Sequence, residues 1–407
     1  MRRKPAQRRS YTIGIIINTP KSKVVVQRCC DNSAAPFFAF IFHLTHRILC
    51  CLSTFFIIFV PIMQLELITE QEVETLKAAI RDAENIIVLG HKSPDGDALG
   101  ACLAWTEYLK QWGKTAHVIV PDAFPDFLKW LPGTDDVLRF DKQTDEVKAL
   151  CQRADLMFCL DFNDTSRLEE LQEVIALSKV KRVLIDHHLN PTIDGIVTIS
   201  HPEASSTCEL VFRVICQLGG FEQLTQQIAA PIYCGMMTDT GGFTYNSTRP
   251  VIYTIIGMLL TTGIDKDKIY RNAFNNYSQW AIRLRGFLMS ERLFVSDEYH
   301  AAYFTVSRRD MKRFHFVKGD LEGLVNEPLR IKGLKFSVSL REDDRHDNLI
   351  LVSLRSVDDF PCNEVAAEFF NGGGHLNASG GKLHCSLKEA EVIMQRALLK
   401  YADRLKA

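Results

Sequence analysis

Beyond residue 63 the chain alternates short apolar runs with amphipathic stretches of helical period. Asn85–Gly90 (NIIVLG), Ala116–Val120, Asp155–Leu160, Arg182–Ile185 and Ile196–Ile199 are apolar runs of the kind expected of buried strands. Glu70–Ala83, Leu99–Trp112, Leu210–Leu218 and Glu222–Met236 read as helices. Strands that are apolar throughout and separated by helices predict a parallel sheet covered on both faces, an open α/β domain.

A helical connection over about Lys266–Leu293 leads to a different pattern. Ala301–Val306, Leu334–Arg341 and Asn348–Arg355 have period-two character, the mark of strands with one wet face. A helix at Asn363–Phe370, a glycine-rich turn at Gly372–Gly374 and a terminal helix at Leu387–Leu405 follow. These predict a smaller α+β domain. The expected organisation is an extension at 1–62, the α/β domain at 63–265, a helical linker at 266–298 and the α+β domain at 299–407.

The first segment fits neither pattern. Residues 1–35 are basic without a period, and the apolar stretch from Phe37 to Met63 is broken by His43, His46 and Arg47. Its longest uncharged run, Ile48–Ile62, falls short of the ~20 apolar residues a spanning helix needs. A secretory signal would place its apolar region sooner and follow it with a small-residue cleavage site. We read Met63 as the start of the working protein and residues 1–62 as unstructured or upstream sequence, with a membrane-surface anchor as the alternative.

Charge narrows the partners. Residues 1–62 hold nine of the 48 basic residues and one of the 49 acidic ones, leaving 39 against 48, a net of −9, for the remainder. An acidic body argues against wrapping long nucleic acid, which takes many phosphate contacts, but not against a short anionic substrate. The 12 cysteines show no CxxC spacing, so thiolate zinc and a secreted disulfide framework are not indicated, and a reducing cytoplasm fits.

The polar clusters carry the chemistry. His91-Lys92-Ser93-Pro94-Asp95-Gly96-Asp97 follows the first strand, Asp161 a later one, and Asp186-His187-His188 the next. Thr238-Asp239-Thr240-Gly241-Gly242 follows a helix instead. An aspartate after a strand is ordinarily a turn or cap residue, and a lone histidine a satisfied polar group. Four such segments at the carboxyl edge of a parallel sheet, where ligands bind, point instead to metal. Carboxylates with imidazoles and no thiolate suit Mn²⁺ or Mg²⁺, with zinc as an alternative. So many carboxylates imply two ions, about 3.5–4 Å apart, the usual arrangement for hydrolysing phosphate esters.

These motifs resemble the DHH phosphoesterase family, whose tripeptide stands here as Asp186-His187-His188, with HxxxDxD as His91, Asp95 and Asp97. The resemblance covers essentially residues 64–407. It implies that His91 and Asp95 bind one metal, that Asp97, His187 and Asp239 bind the other, and that Asp161 bridges both. It makes His188 a phosphate contact and gives Asp186 the orienting of the histidines; these two and Asp97 form the implied catalytic set. Ala204-Ser205-Ser206-Thr207 looks like the family's small hydroxylated loop near the site.

Gly372-Gly373-Gly374-His375, with Asn377-Ala378-Ser379-Gly380-Gly381, resembles the GGGH motif of the DHHA1 domain, with serine at 379 where relatives usually have alanine. Three glycines let a backbone approach a ligand and expose amides to phosphate or base. Arg355 is read as a phosphate clamp, a surface arginine being the alternative. This domain resembles those of the nanoRNA and phosphoadenosine-phosphate phosphatases. The resemblance implies a Mn²⁺-dependent enzyme that degrades short oligoribonucleotides to mononucleotides and dephosphorylates 3′-phosphoadenosine 5′-phosphate. Expected partners are short RNA and small nucleotides, with no obligatory membrane contact and a homodimer allowed. A cyclic-di-AMP or linear-dinucleotide phosphodiesterase is the rival enzyme, and a nucleotide-binding sensor the rival without turnover.

Overall fold

The computed structural model describes residues 65–176 and 178–406, together with a short antiparallel pairing of Asn18–Thr19 with Ser22–Lys23. The chain divides into residues 1–62 and residues 63–407, and the elements below all belong to the second unit. The expectations for residues 1–62 otherwise lie outside the described residues.

The apolar runs form six strands: β1 (Ile86–Leu89), β2 (Ala116–Val120), β3 (Leu138–Arg139), β4 (Leu156–Leu160), β5 (Lys181–Asp186) and β6 (Val197–Ser200). They pair in parallel throughout, in the order β3-β2-β1-β4-β5-β6. The chain thus starts mid-sheet and reverses its direction of build-out between β1 and β4. That switch point opens a crevice at the strands' carboxyl ends.

Helices cover both faces, as expected. Ile86, Val88, Val118, Phe158 and Ile185 pack on α1 (Glu70–Asp82), α2 (Gly96–Gln111), α5 (Thr207–Gln217), α6 (Gln226–Asp239) and α7 (Pro250–Thr261). Ile87, Leu89, Met157 and Leu184 pack on α3 (Thr144–Arg153) and α4 (Leu171–Ala176).

The helical connection is made of two helices, α8 (Lys266–Phe274) and α9 (Gln279–Phe287), then a π turn at Leu288–Arg292. Leu293–Ser296, expected inside the connection, is strand β7, antiparallel to β8 (Ala301–Val306). After α10 (Arg308–Arg313) come β9 (Phe336–Glu342), β10 (Leu349–Ser356), α11 (Cys362–Phe369), β11 (Gly373–His375), β12 (Ala378–His384), α12 (Leu387–Lys400) and α13 (Ala402–Lys406). The second sheet runs β11-β12-β10-β9-β8-β7, with β8 and β9 its parallel pair. Val338, Leu340, Val352 and Leu354 bury one face of it under Val365, Met394 and Leu398. By register Ser337 pairs with Arg355 and Leu351 with Lys382, which places those residues on the other face.

Among the described residues no helix is long and apolar enough to cross a membrane.

Candidate metal centre

The loop after β1 carries His91 and Asp95, and Asp95 N-caps α2, accepting from the N–H groups of Asp97 and Ala98 at 3.0 Å each. Asp95 therefore does the cap work an aspartate at that place ordinarily does. Asp97 sits in the first turn of α2, fully buried. Asp161 follows β4 with a φ of +66°, a strained conformation for a non-glycine residue, of the sort that clusters at functional sites. Asp186 ends β5, and His187 and His188 follow.

Asp239 is the last residue of α6, which packs closely along α2. Glycines permit that approach: a Cβ on Gly100 would fall 2.5 Å from the Pro231 carbonyl oxygen. One on Gly235 would fall 2.2 Å from Cys208 Sγ and 2.9 Å from Asp97 Oδ1.

Two trios result. His91, Asp95 and Asp161 bring ligand atoms within 4.8 Å of one another, and so do Asp97, His187 and Asp239. Asp161 spans them, with Oδ2 3.4 Å from His91 Nε2 and Oδ1 3.5 Å from His187 Nε2. His187 Nε2 is 3.8 Å from Asp97 Oδ2 and 3.6 Å from Asp239 Oδ2. Both imidazoles are oriented from behind. His91 Nδ1 faces the Lys92 carbonyl at 2.7 Å and His187 Nδ1 the Ala204 carbonyl at 3.3 Å. A carbonyl only accepts, so Nδ1 carries a hydrogen in each ring and Nε2 is the nitrogen that faces the carboxylates.

The charges fit a cation. Burial, then Asp161 and Asp239, push the Asp97 carboxyl well above the usual range. Burial pushes Asp239 up to about 6 despite His187. Burial opposes charge on His187, yet Asp239, Asp161 and Asp97 raise it to about 9. Asp161 alone is lowered, because its hydrogen bond to His91 and the charges of His188, His91 and His187 outweigh burial. The cluster holds protons where cations would remove the repulsion, so the residues fit two divalent ions.

Residues 85–236 match the DHH family N-terminal domain and residues 300–400 the DHHA1 domain. The chain belongs to the DHH family. A probable bifunctional oligoribonuclease and PAP phosphatase NrnA from Streptococcus mutans is 27% identical over 79% of this chain and 96% of its own length. A cyclic-di-AMP phosphodiesterase GdpP from Geobacillus thermodenitrificans is 25% identical over 81% of this chain and 49% of its own. The crystal structure of an exopolyphosphatase-related protein from Bacteroides fragilis is 46% identical, with a TM-score of 0.80 over 84% of this chain and 99% of that one. This DHH protein is a hydrolase acting on phosphoester bonds.

The DHHA1 domain reaches into the centre. The His375 ring stacks on His188 with centroids 4.9 Å apart and planes 28° apart, and lies 4.9 Å from His187. The glycines before it, expected as a glycine-rich turn, are partly strand. Gly373–His375 pairs with Ala378–Gly380 as a strand, and a Cβ on Gly372 would fall 1.9 Å from the Gly380 oxygen. Ser379, the one departure from the motif, donates its hydroxyl to the His375 carbonyl at 2.9 Å. Arg355 donates Nη1 to the Leu354 carbonyl at 2.9 Å, and its charge bears on Tyr245 and Glu322.

The hydroxylated loop expected near the site meets it through Thr207, and two further contacts had not been anticipated. Thr207 Oγ1 donates to Asp161 Oδ1 at 2.8 Å. Lys382 Nζ, from the DHHA1 sheet, donates to Glu169 at 2.9 Å, and Glu169 also pairs with Lys92 beside His91. Lys318 Nζ reaches Asp122 at 3.0 Å and so ties the domains a second time. Only a lysine just after a Gly-Gly pair hinted at the Lys382 contact.

Proposed function

We propose that this protein cuts short oligoribonucleotides to mononucleotides and removes phosphate from 3′-phosphoadenosine 5′-phosphate, in the cytoplasm, using two Mn²⁺ ions with Mg²⁺ as a substitute. The observation that carries the reading is the pair of carboxylate–imidazole trios sharing Asp161, with His375 of the second domain laid over them. A centre covered by a second domain suits a substrate a few nucleotides long better than a continuous strand.

His91, Asp95 and Asp161 would hold one ion, and Asp97, His187, Asp239 and Asp161 the other. Bound there, two divalent ions activate the attacking water and neutralise charge developing on the phosphoryl oxygens. His188 donates its Nδ1–H to Asp186, which orients the ring and would hold it beside the phosphoryl group. His375, lowered to about 3 by burial and by the neighbouring histidines, stays neutral at physiological pH and excludes water over His188. Arg355 brings positive charge to the nucleotide's side of the cleft, beside Tyr245.

The 25% identity to a cyclic-di-AMP phosphodiesterase favours a second reading, in which the same centre opens a cyclic dinucleotide. The test gives the full chain with Mn²⁺ three separate substrates: 3′-phosphoadenosine 5′-phosphate, an RNA trimer and cyclic di-AMP. An Asp97→Ala/His187→Ala variant is the control. Turnover of the first two, lost in the control, is expected. Turnover of cyclic di-AMP alone would establish the second reading, and no turnover of any would favour a binding protein.

A further inference from the structure

We infer that Glu209 is a positioning residue of the metal centre, acting through the loop 204–207. The inference rests on the metal-centre reading above and adds to it a residue that touches no substrate.

The loop meets three of the six ligands. The Ala204 carbonyl accepts from His187 Nδ1 at 3.3 Å, which fixes the tautomer that leaves Nε2 free for a cation. Thr207 Oγ1 donates to Asp161 Oδ1 at 2.8 Å. The Thr207 and Cys208 N–H groups donate to Asp97 Oδ2 and Oδ1 at 2.6 and 2.9 Å. Each Asp97 oxygen is thereby oriented yet keeps a lone pair for an ion. The first turn of α5 also turns its unpaired N–H groups and positive dipole end on that carboxylate.

Ala204–Ser206 belongs to no helix or strand, and its local main-chain bond, from the Ala204 N–H to the His201 carbonyl at 2.9 Å, leaves Ser205 without a main-chain partner. Glu209 holds it. Its Oε2 accepts from both the Ser205 N–H and the Ser205 hydroxyl, at 2.8 Å each. Its own N–H donates to Ser206 Oγ at 3.1 Å, so main chain and side chain grip adjacent loop residues.

Glu209 is wholly buried, and a carboxylate there needs cationic partners. Arg249, the N-cap of α7, places Nη2 2.6 and 2.9 Å from its two oxygens. Arg213, one turn along α5, places Nη1 at 3.2 Å. An ion pair serving stability alone would need no link to Ser205; here one oxygen carries both Ser205 donors. The cluster ties α5 and α7 to the loop that aims Asp97, Asp161 and His187.

Glu209→Gln keeps the size, but its amide accepts at one oxygen only, so Ser205 or the arginines lose a partner. The experiment titrates metal-stripped full chain with Mn²⁺ by calorimetry and records each protein's melting temperature without metal. Wild type is expected to bind two Mn²⁺ ions; no binding would sink the metal-centre reading itself. Glu209→Gln is expected to weaken Mn²⁺ binding by about 10–100-fold, the range seen when residues behind metal ligands are lost. At saturating Mn²⁺ its KM should be unchanged, because no substrate contact is removed.

Ser205→Ala guards against a Glu209 variant that does not fold, since it leaves the carboxylate–arginine cluster whole. It is expected to melt as wild type does and to bind Mn²⁺ about tenfold more weakly. Wild-type Mn²⁺ affinity in Ser205→Ala would overturn the proposal, whatever Glu209→Gln does.

Discussion

His188 Nδ1 lies 2.7 Å from Asp186 Oδ1, and Asp186 is fully buried. The carboxylate is the acceptor, so Nδ1 holds the hydrogen and Nε2 turns away from Asp186. Asp186→Asn keeps the shape but removes the charge that favours this tautomer. It is expected to lower kcat about 10–100-fold while Mn²⁺ binding persists. His188→Ala is expected to lower kcat at least about 100-fold with little change in metal affinity. Steady-state kinetics beside Mn²⁺ titrations separate the two effects; wild-type kcat in both variants would remove His188 from the chemistry.

Gly235 lets α6 lie against α2. A methyl group there would overlap Cys208 Sγ and crowd Asp97 Oδ1. Gly235→Ala is expected to cost about 1–3 kcal/mol of stability by overpacking and to weaken Mn²⁺ binding by displacing Asp97. Denaturant unfolding and Mn²⁺ titration check the two parts.

Glu169 joins Lys92 of the DHH domain to Lys382 of the DHHA1 domain. Burial alone would raise its carboxyl, but hydrogen bonds from both lysines hold it below the usual value. A lowered folded pKa means the link is whole above the unfolded value near 4.5 and is lost as pH falls through the lowered one. Glu169 and Lys382 are 37% and 52% exposed, so the effect should fall on domain closure and hardly on melting temperature. X-ray scattering is expected to show a constant radius of gyration from pH 8 to about 5.5 and expansion below about 4.5. Glu169→Gln should expand at pH 7 and raise KM.

Metal removal carries a proton signature. His187, raised to about 9, is protonated at pH 7 in the metal-free protein, and Asp239, raised to about 6, is partly so. A cation requires the imidazole neutral and the carboxylate ionised. Mn²⁺ binding should therefore release protons and tighten from pH 6 to 8. Calorimetry in buffers of different ionisation enthalpy reads the release directly; a buffer-independent heat would contradict it.

Most of the acidic and histidine cluster was legible because a parallel sheet puts every strand's carboxyl end at one edge, so His91, Asp161 and His187 each stand just past an apolar run. What escaped notice lacked such a marker. Glu209 meets Arg249 from 40 residues away, and no spacing rule connects them. The strand at Gly373–His375 is mostly glycine and offers no alternation to read. Leu293–Ser296 is four half-covered edge residues directly after a helical turn, and α7 (PVIYTIIGMLLT) is too uniformly apolar to show a helical face. The partnership of Lys382 with Glu169 depends on how the two domains meet, which neither domain's pattern encodes.

The most direct measurement is anomalous scattering at the manganese edge from crystals of the full chain grown with Mn²⁺. Two peaks about 3.5–4 Å apart are expected, one among His91, Asp95 and Asp161 and the other among Asp97, His187 and Asp239, with Asp161 touching both. A single peak, or peaks away from Asp161, would contradict the two-metal centre.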